Sequence, residues 1–66
     1  MKRFALLKLF PWGFLSGNQV INEITVNTET EAIQQFQVIH PELKLNEKGY
    51  SKDGNVSYCI AEYMFN

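Results

Sequence analysis

Cysteine is almost absent from this chain of 66 residues: Cys59 stands alone, so no disulfide can form within it. Small secreted domains of this length commonly carry several disulfides. The shortage points to an intracellular, cytoplasmic setting. Charge of a single sign is missing as well. Six Lys and Arg against seven Asp and Glu leave a net charge of −1, which gives phosphate backbones no bulk attraction. No apolar run approaches the ~20 residues that span a bilayer, so no membrane role is expected. Met1-Lys2-Arg3-Phe4-Ala5-Leu6-Leu7 starts like a secretory signal. Lys8 then interrupts it, and Pro11-Trp12-Gly13 follows with no small-residue cleavage site.

What is present is enough to fold. An apolar share of 45% with 20% charged residues is ordinary for a globular chain and unlike a disordered one. Sixty-six residues make one small domain near the size at which a core alone suffices. Association with a partner or with a second copy would add to its stability by mass action.

Residues 3–10 are nearly all apolar and closed by Pro11, which suits a strand buried on both faces. Residues 11–18 hold two glycines and a proline and read as a loop. Over 19–26, Val20, Ile24 and Val26 share one parity and Glu23 and Thr25 take the other, a second strand antiparallel to the first. Thr28-Glu29-Thr30-Glu31 has capping-box spacing, with two carboxylates at the positive end of the helix dipole. Ala32, Phe36, Ile39 and Leu43 then recur at threes and fours, with Ile33 beside them. Gln34, Gln35 and Gln37 fall outside this stripe. Pro41 disfavours α geometry at His40, so the helix ends near Ile39 or His40. Asp53-Gly54 marks a two-residue hairpin between strands of about 47–52 and 55–64. In the last strand Val56, Tyr58 and Ile60 oppose Ser57, Cys59 and Ala61. The expected class is α+β: one four-stranded, mainly antiparallel sheet with a helix on one face, in the order β-β-α-β-β.

Catalytic and metal-binding patterns are not found. His40 is the sole histidine and reads as a helix-end residue favoured by the dipole. A His40–Cys59 nucleophile pair is conceivable, but Cys59 in an alternating strand reads more simply as a small sheet residue. No ligand spacing suits zinc or calcium, and Gly13 and Gly17 match no phosphate-binding loop. The carboxylates each have a local explanation as a cap, turn or solvated residue. The expectation is a non-enzymatic domain without cofactors.

Binding features remain. Trp12, Phe14 and Leu15 are large apolar residues among turn-formers; they either fold back on the core or stand out as anchors of the kind enriched in binding hot spots. Tyr58, Ile60, Tyr63, Met64 and Phe65 extend the last strand nearly to the end. That strand either pairs with the first or forms an edge open to strand addition or a homodimer. Lys44, Lys48 and Lys52 with Tyr50 suggest either a nucleic-acid contact or a solvated edge.

The layout resembles the phage antitoxins of the Dmd type. The likeness rests on an apolar first strand running into Phe10-Pro11-Trp12-Gly13-Phe14, on Glu23-Ile24-Thr25 in the second strand, and on Ala32, Gln35, Phe36, Ile39 and Leu43 in the helix. A hairpin from Tyr50 through Asp53 to Val56 completes it. Glu31 stands where the family carries an exposed aromatic on its helix. The resemblance implies an inhibitor that binds a host RNA-endonuclease toxin stoichiometrically and denies it RNA. Its expected partner-binding residues are Trp12, Phe14, Leu15, Glu29, Glu31, Tyr50 and Tyr63, with the acidic residues Glu23, Glu29 and Glu31 facing a basic cleft. A nucleic-acid-binding module and a self-associating structural protein are the alternatives.

Overall fold

A computed structural model describes residues 1–10 and 17–63. The elements are β1 (Lys2–Phe10), β2 (Gly17–Val26), α1 (Glu29–Ile39), a 3₁₀ turn (Pro41–Leu43), β3 (Ser51–Asp53) and β4 (Val56–Glu62). They form one antiparallel sheet in the order β2-β1-β4-β3 with the helix packed on one face. The α+β class and the β-β-α-β-β order are as read from the sequence. The first strand pairs with the last from Phe4 opposite Glu62 to Leu9 opposite Ser57. This resolves the open question about β4: the sheet edges are β2 and β3.

The helix starts where the capping residues require. The Thr28 hydroxyl accepts from the Glu31 amide at 3.2 Å and donates to the Glu31 carboxylate at 3.5 Å, so the hydroxyl, not the Thr28 amide, makes the reciprocal contact. At the other end the His40 amide donates to the Phe36 carbonyl. His40 itself has left α geometry, at φ −125° and ψ 70°, as a residue before proline does. Gln37 then ties this end to the chain beyond it: its side-chain amide donates to the His40 carbonyl, and its side-chain oxygen accepts from the Leu45 amide. The glutamine read as merely outside the stripe is therefore a brace.

Phe4, Leu6, Val26, Ala32 and Phe36 form the buried core, with Ile24, Leu43, Leu45, Tyr58 and Ile60 packed against it. All of these sheet residues lie on the helix side, because alternate residues of a strand point to opposite faces.

Five expectations need correction. β1 is buried on both faces only over Phe4, Ala5 and Leu6; from Leu7 to Phe10 both parities are half-buried, because the core cluster does not extend along that end of the strand. Val20 does not share a face with Ile24 and Val26. Leu6 pairs with Asn22 but Leu7 with Val20, leaving Ile21 as an extra, unpaired residue, and such a bulge turns the strand beyond it over. β3 starts at Ser51, not near 47. The Asn46 side chain accepts from the amides of Lys48 and Tyr50, and the Gly49 amide donates to the Asn46 carbonyl, so 46–50 is a turn. The hairpin turns on Gly54-Asn55, since Asp53 pairs with Val56. Among its residues only Gly54 has positive φ, at 63°, the glycine-first pattern of a type II′ turn. β4 ends at Glu62, and position 64 of the expected strand, like Phe65, lies outside the described residues.

Candidate partner-binding surfaces

Among the described residues, three surfaces are placed to meet another molecule. The first is the sheet face away from the helix. Since Phe4, Leu6, Ile24, Tyr58 and Ile60 point into the core, the intervening residues Arg3, Ala5, Leu7, Leu9, Glu23, Ser57, Cys59 and Ala61 point outward. Val20 joins them opposite Leu7. At one end Arg3 pairs with Glu23 at 2.9 Å and its guanidinium lies 5.6 Å over the Tyr63 ring, while the Tyr63 amide donates to the Arg3 carbonyl. At the other end the Tyr50 hydroxyl contacts Ser57 at 3.1 Å. Two of the expected partner-binding residues, Tyr50 and Tyr63, thus border one face at opposite ends.

The second surface is the outer side of α1. Glu31, Gln34, Gln35 and Val38 recur at three, four and seven positions, which aligns them on one face of a helix. Val38 is 80% exposed and Ile39 46%. Gln34, Gln35, Val38 and Ile39 line a shallow depression of about 310 Å³. Ile39 was expected in the core stripe. Pro41 stops the helix before that position gains a further turn to pack beneath, so half of Ile39 stays outside. Val38 received no role from the sequence, yet it lies roughly 200° around the helix from Phe36 at ~100° per residue, a count that places it opposite the core. Glu29 and Glu31 are in the first turn of the same helix, so one element carries acid at its start and apolar side chains at its end.

The third surface is a cleft of about 450 Å³ between the 3₁₀ turn and β3, bordered by Glu42, Lys44, Tyr50, Ser51, Lys52 and Asp53 among others. Ser51 is buried, and its hydroxyl donates to the Leu43 carbonyl. Lys44 has φ 50°, the left-handed region that a side chain usually avoids. Of the three lysines spaced at fours, Lys44 and Lys52 reach this cleft and Lys48 sits on the turn beyond it. Two carboxylates offset their charge.

Trp12, Phe14 and Leu15 lie outside the described residues. His40 Nδ1 is 3.6 Å from the Glu42 carboxylate, and His40 Nε2 is buried with no hydrogen-bond partner among the described residues. Cys59 faces away from the helix layer to which His40 belongs, so the two are not brought together. Burial pushes the Cys59 thiol up from its ordinary value, which disfavours the reactive thiolate. Among the described residues no three His, Cys, Asp or Glu side chains gather where they could hold a metal ion, and no helix is long and apolar enough to cross a membrane.

No protein-family model, no curated protein and no solved structure matches the chain.

Proposed function

We propose that this chain is a small non-enzymatic protein-binding domain that inhibits a partner by direct stoichiometric contact, as an antitoxin of the Dmd type would inhibit a host RNA-endonuclease. The observation that carries the reading is the exposed Val38–Ile39 pair on a helix whose first turn is acidic. Val38 is almost entirely outside the fold's own packing and Ile39 about half outside it. Covering both with a partner would remove their apolar surface from water, worth roughly 25 cal/mol per Å². An RNA-binding cleft is basic, so Glu29 and Glu31 would speed encounter more than they tighten the complex. Tyr50 and Tyr63, and Trp12, Phe14 and Leu15, are the further residues proposed to contact the partner.

Val38→Asp places an unpaired charge in the proposed contact at an exposed site, where the fold tolerates it. Calorimetric titration into a purified RNA-endonuclease toxin is expected to show affinity reduced at least ~10-fold, about 1.4 kcal/mol, with thermal unfolding of the free variant nearly unchanged. Unaltered affinity would remove the helix from the interface.

A second reading follows from the cleft that brings Lys44, Lys52 and Tyr50 together: two ammonium groups and a stacking ring are the parts of a single-stranded nucleic-acid site. The double change Lys44→Gln with Lys52→Gln should then reduce the slope of log affinity for single-stranded RNA against log salt by about 1.4. Glu42 and Asp53 on the same rim work against this reading, and a wild-type chain that fails to bind such RNA at low salt ends it.

A further inference from the structure

We infer that the cleft between the 3₁₀ turn and β3 receives the C-terminal end of an extended polypeptide, which adds to the edge of β3 and sets its carboxylate beside Lys44. The inference stands apart from the inhibitor reading, which uses α1. β3 is the last strand of the sheet, and its register decides which backbone groups face outward. Asp53 and Val56 close a two-residue turn, so they bond to each other, and bonded and non-bonded positions alternate along an antiparallel pair. Ser51 is therefore bonded to Tyr58, while the N–H and C=O of Lys52 turn away from β4. Tyr50, two residues earlier, has the same orientation, and there the chain satisfies its own edge. The Tyr50 amide donates to the Asn46 side-chain oxygen at 3.0 Å, and the Tyr50 carbonyl accepts from the Asn46 amide at 2.9 Å. At Lys52 this pairing stops: among the described residues nothing accepts from its N–H or donates to its C=O. The edge is also accessible, since Lys44, Lys52 and Asp53 are exposed, and these residues border the cleft of about 450 Å³.

Geometry and charge together choose the occupant. A segment that exchanges both bonds with the single residue Lys52 must run antiparallel to β3, because a parallel neighbour has no such reciprocal pair. It then enters from the hairpin tip at Gly54-Asn55 and runs toward Tyr50, where Asn46 already fills the edge. A chain passing through has no further edge to pair with at that point, whereas a chain end needs none. The terminal residue donates its amide to the Lys52 carbonyl, and one carboxylate oxygen accepts from the Lys52 amide. Lys44 lines the same cleft and offers its ammonium to the carboxylate, a charge-assisted bond about twice as strong as a neutral one. Glu42 and Asp53 on the rim oppose a chain of phosphates but not the neutral main chain of a peptide. The mixed rim therefore favours a polypeptide over RNA here.

Amide NMR spectra of the full chain, titrated with a tetrapeptide of alternating threonine and valine, test the inference. The β-branched residues favour an extended probe, which is acetylated at its N-terminus and free at its C-terminus. The amides of Lys44, Tyr50 and Lys52 should shift saturably, with a dissociation constant on the order of 1 mM. The same peptide as a C-terminal amide, or N-methylated at its last residue, should bind at least ~10-fold more weakly. Lys44→Gly is the decisive variant. Lys44 has φ 50°, which glycine adopts without penalty, so the variant should melt no earlier than the parent yet bind the free peptide at least ~10-fold more weakly. The inference is overturned by an absence of saturable shifts up to ~10 mM peptide, by equal binding of the amidated peptide, or by undiminished binding to Lys44→Gly. Hexauridylate shifting these amides where the peptide does not would also overturn it and give the cleft to single-stranded RNA.

Discussion

Phe36→Ala is expected to leave most of the chain unfolded at physiological temperature. Phe36 is completely buried at the centre of a core whose other fully buried large side chains are Phe4 and Leu6 among the described residues. Removing its ring forfeits the transfer free energy of the ring and leaves a cavity, together about 3–5 kcal/mol. A domain of this length has roughly 3–10 kcal/mol in total. Below about 70–80 residues a single core rarely supplies more than about 3–5 kcal/mol of that, so the loss is comparable with the whole. The sheet cannot relax into the gap easily, because β1 is fixed by strands on both sides. Urea unfolding followed by circular dichroism should show the midpoint falling by more than half or the native baseline disappearing. Phe36→Leu, which retains most of the volume, should cost less than about 1.5–2 kcal/mol. Equal losses for Ala and Leu would place the main contribution of this residue outside the core.

Gly49→Ala should be the next most damaging change, through backbone and packing together. Gly49 has φ 75°, a region that costs an L-residue roughly 1–2 kcal/mol. A methyl group there would lie 3.0 Å from Ile60 Cδ1 and 3.2 Å from Ile33 Cγ1. The Ile60 tip can swing aside, but Ile33 is held on the helix, so about 1–3 kcal/mol of overpacking adds to the backbone cost. Gly54 supplies the control within the same molecule: its φ is 63°, yet a methyl group there would meet nothing within 4 Å. Gly54→Ala should show the backbone cost alone. The difference between the two midpoints, converted with a common denaturant slope, then measures the packing of the 46–50 turn between helix and sheet. Identical losses would mean that this turn does not pack as described.

Most of the fold was legible because its decisive signals are local. Thr28 and Glu31 mark one helix end and Pro41 the other, whatever the rest of the chain does. Parity assigned Tyr58 and Ile60 to the core and Cys59 to the far side for the same reason. What escaped depended on events that parity cannot register. One inserted residue, Ile21, reverses the face of Val20 without altering composition. An asparagine that accepts two amides, Asn46, converts a segment of strand-like composition into a turn. The expected burial of β1 on both faces holds only for Phe4, Ala5 and Leu6 and fades from Leu7 on, since an apolar run does not say how far along it the core extends. The candidate site was less legible. Tyr50 and Tyr63 stand out in the sequence as surplus aromatics and border one face, whereas Val38, a lone valine among glutamines, carries no motif. Its position became informative only once the core side of the helix was fixed.

The proposed stoichiometric inhibition through contact would show in residual RNA cleavage measured against added chain. With a purified RNA-endonuclease toxin at a concentration well above the dissociation constant, activity should fall linearly and reach its floor at one chain per toxin active unit, with no dependence on preincubation time. Full cleavage in the presence of a tenfold excess of chain would rule out inhibition by contact, and so would progressive inactivation by substoichiometric amounts, which would signify turnover rather than occupancy.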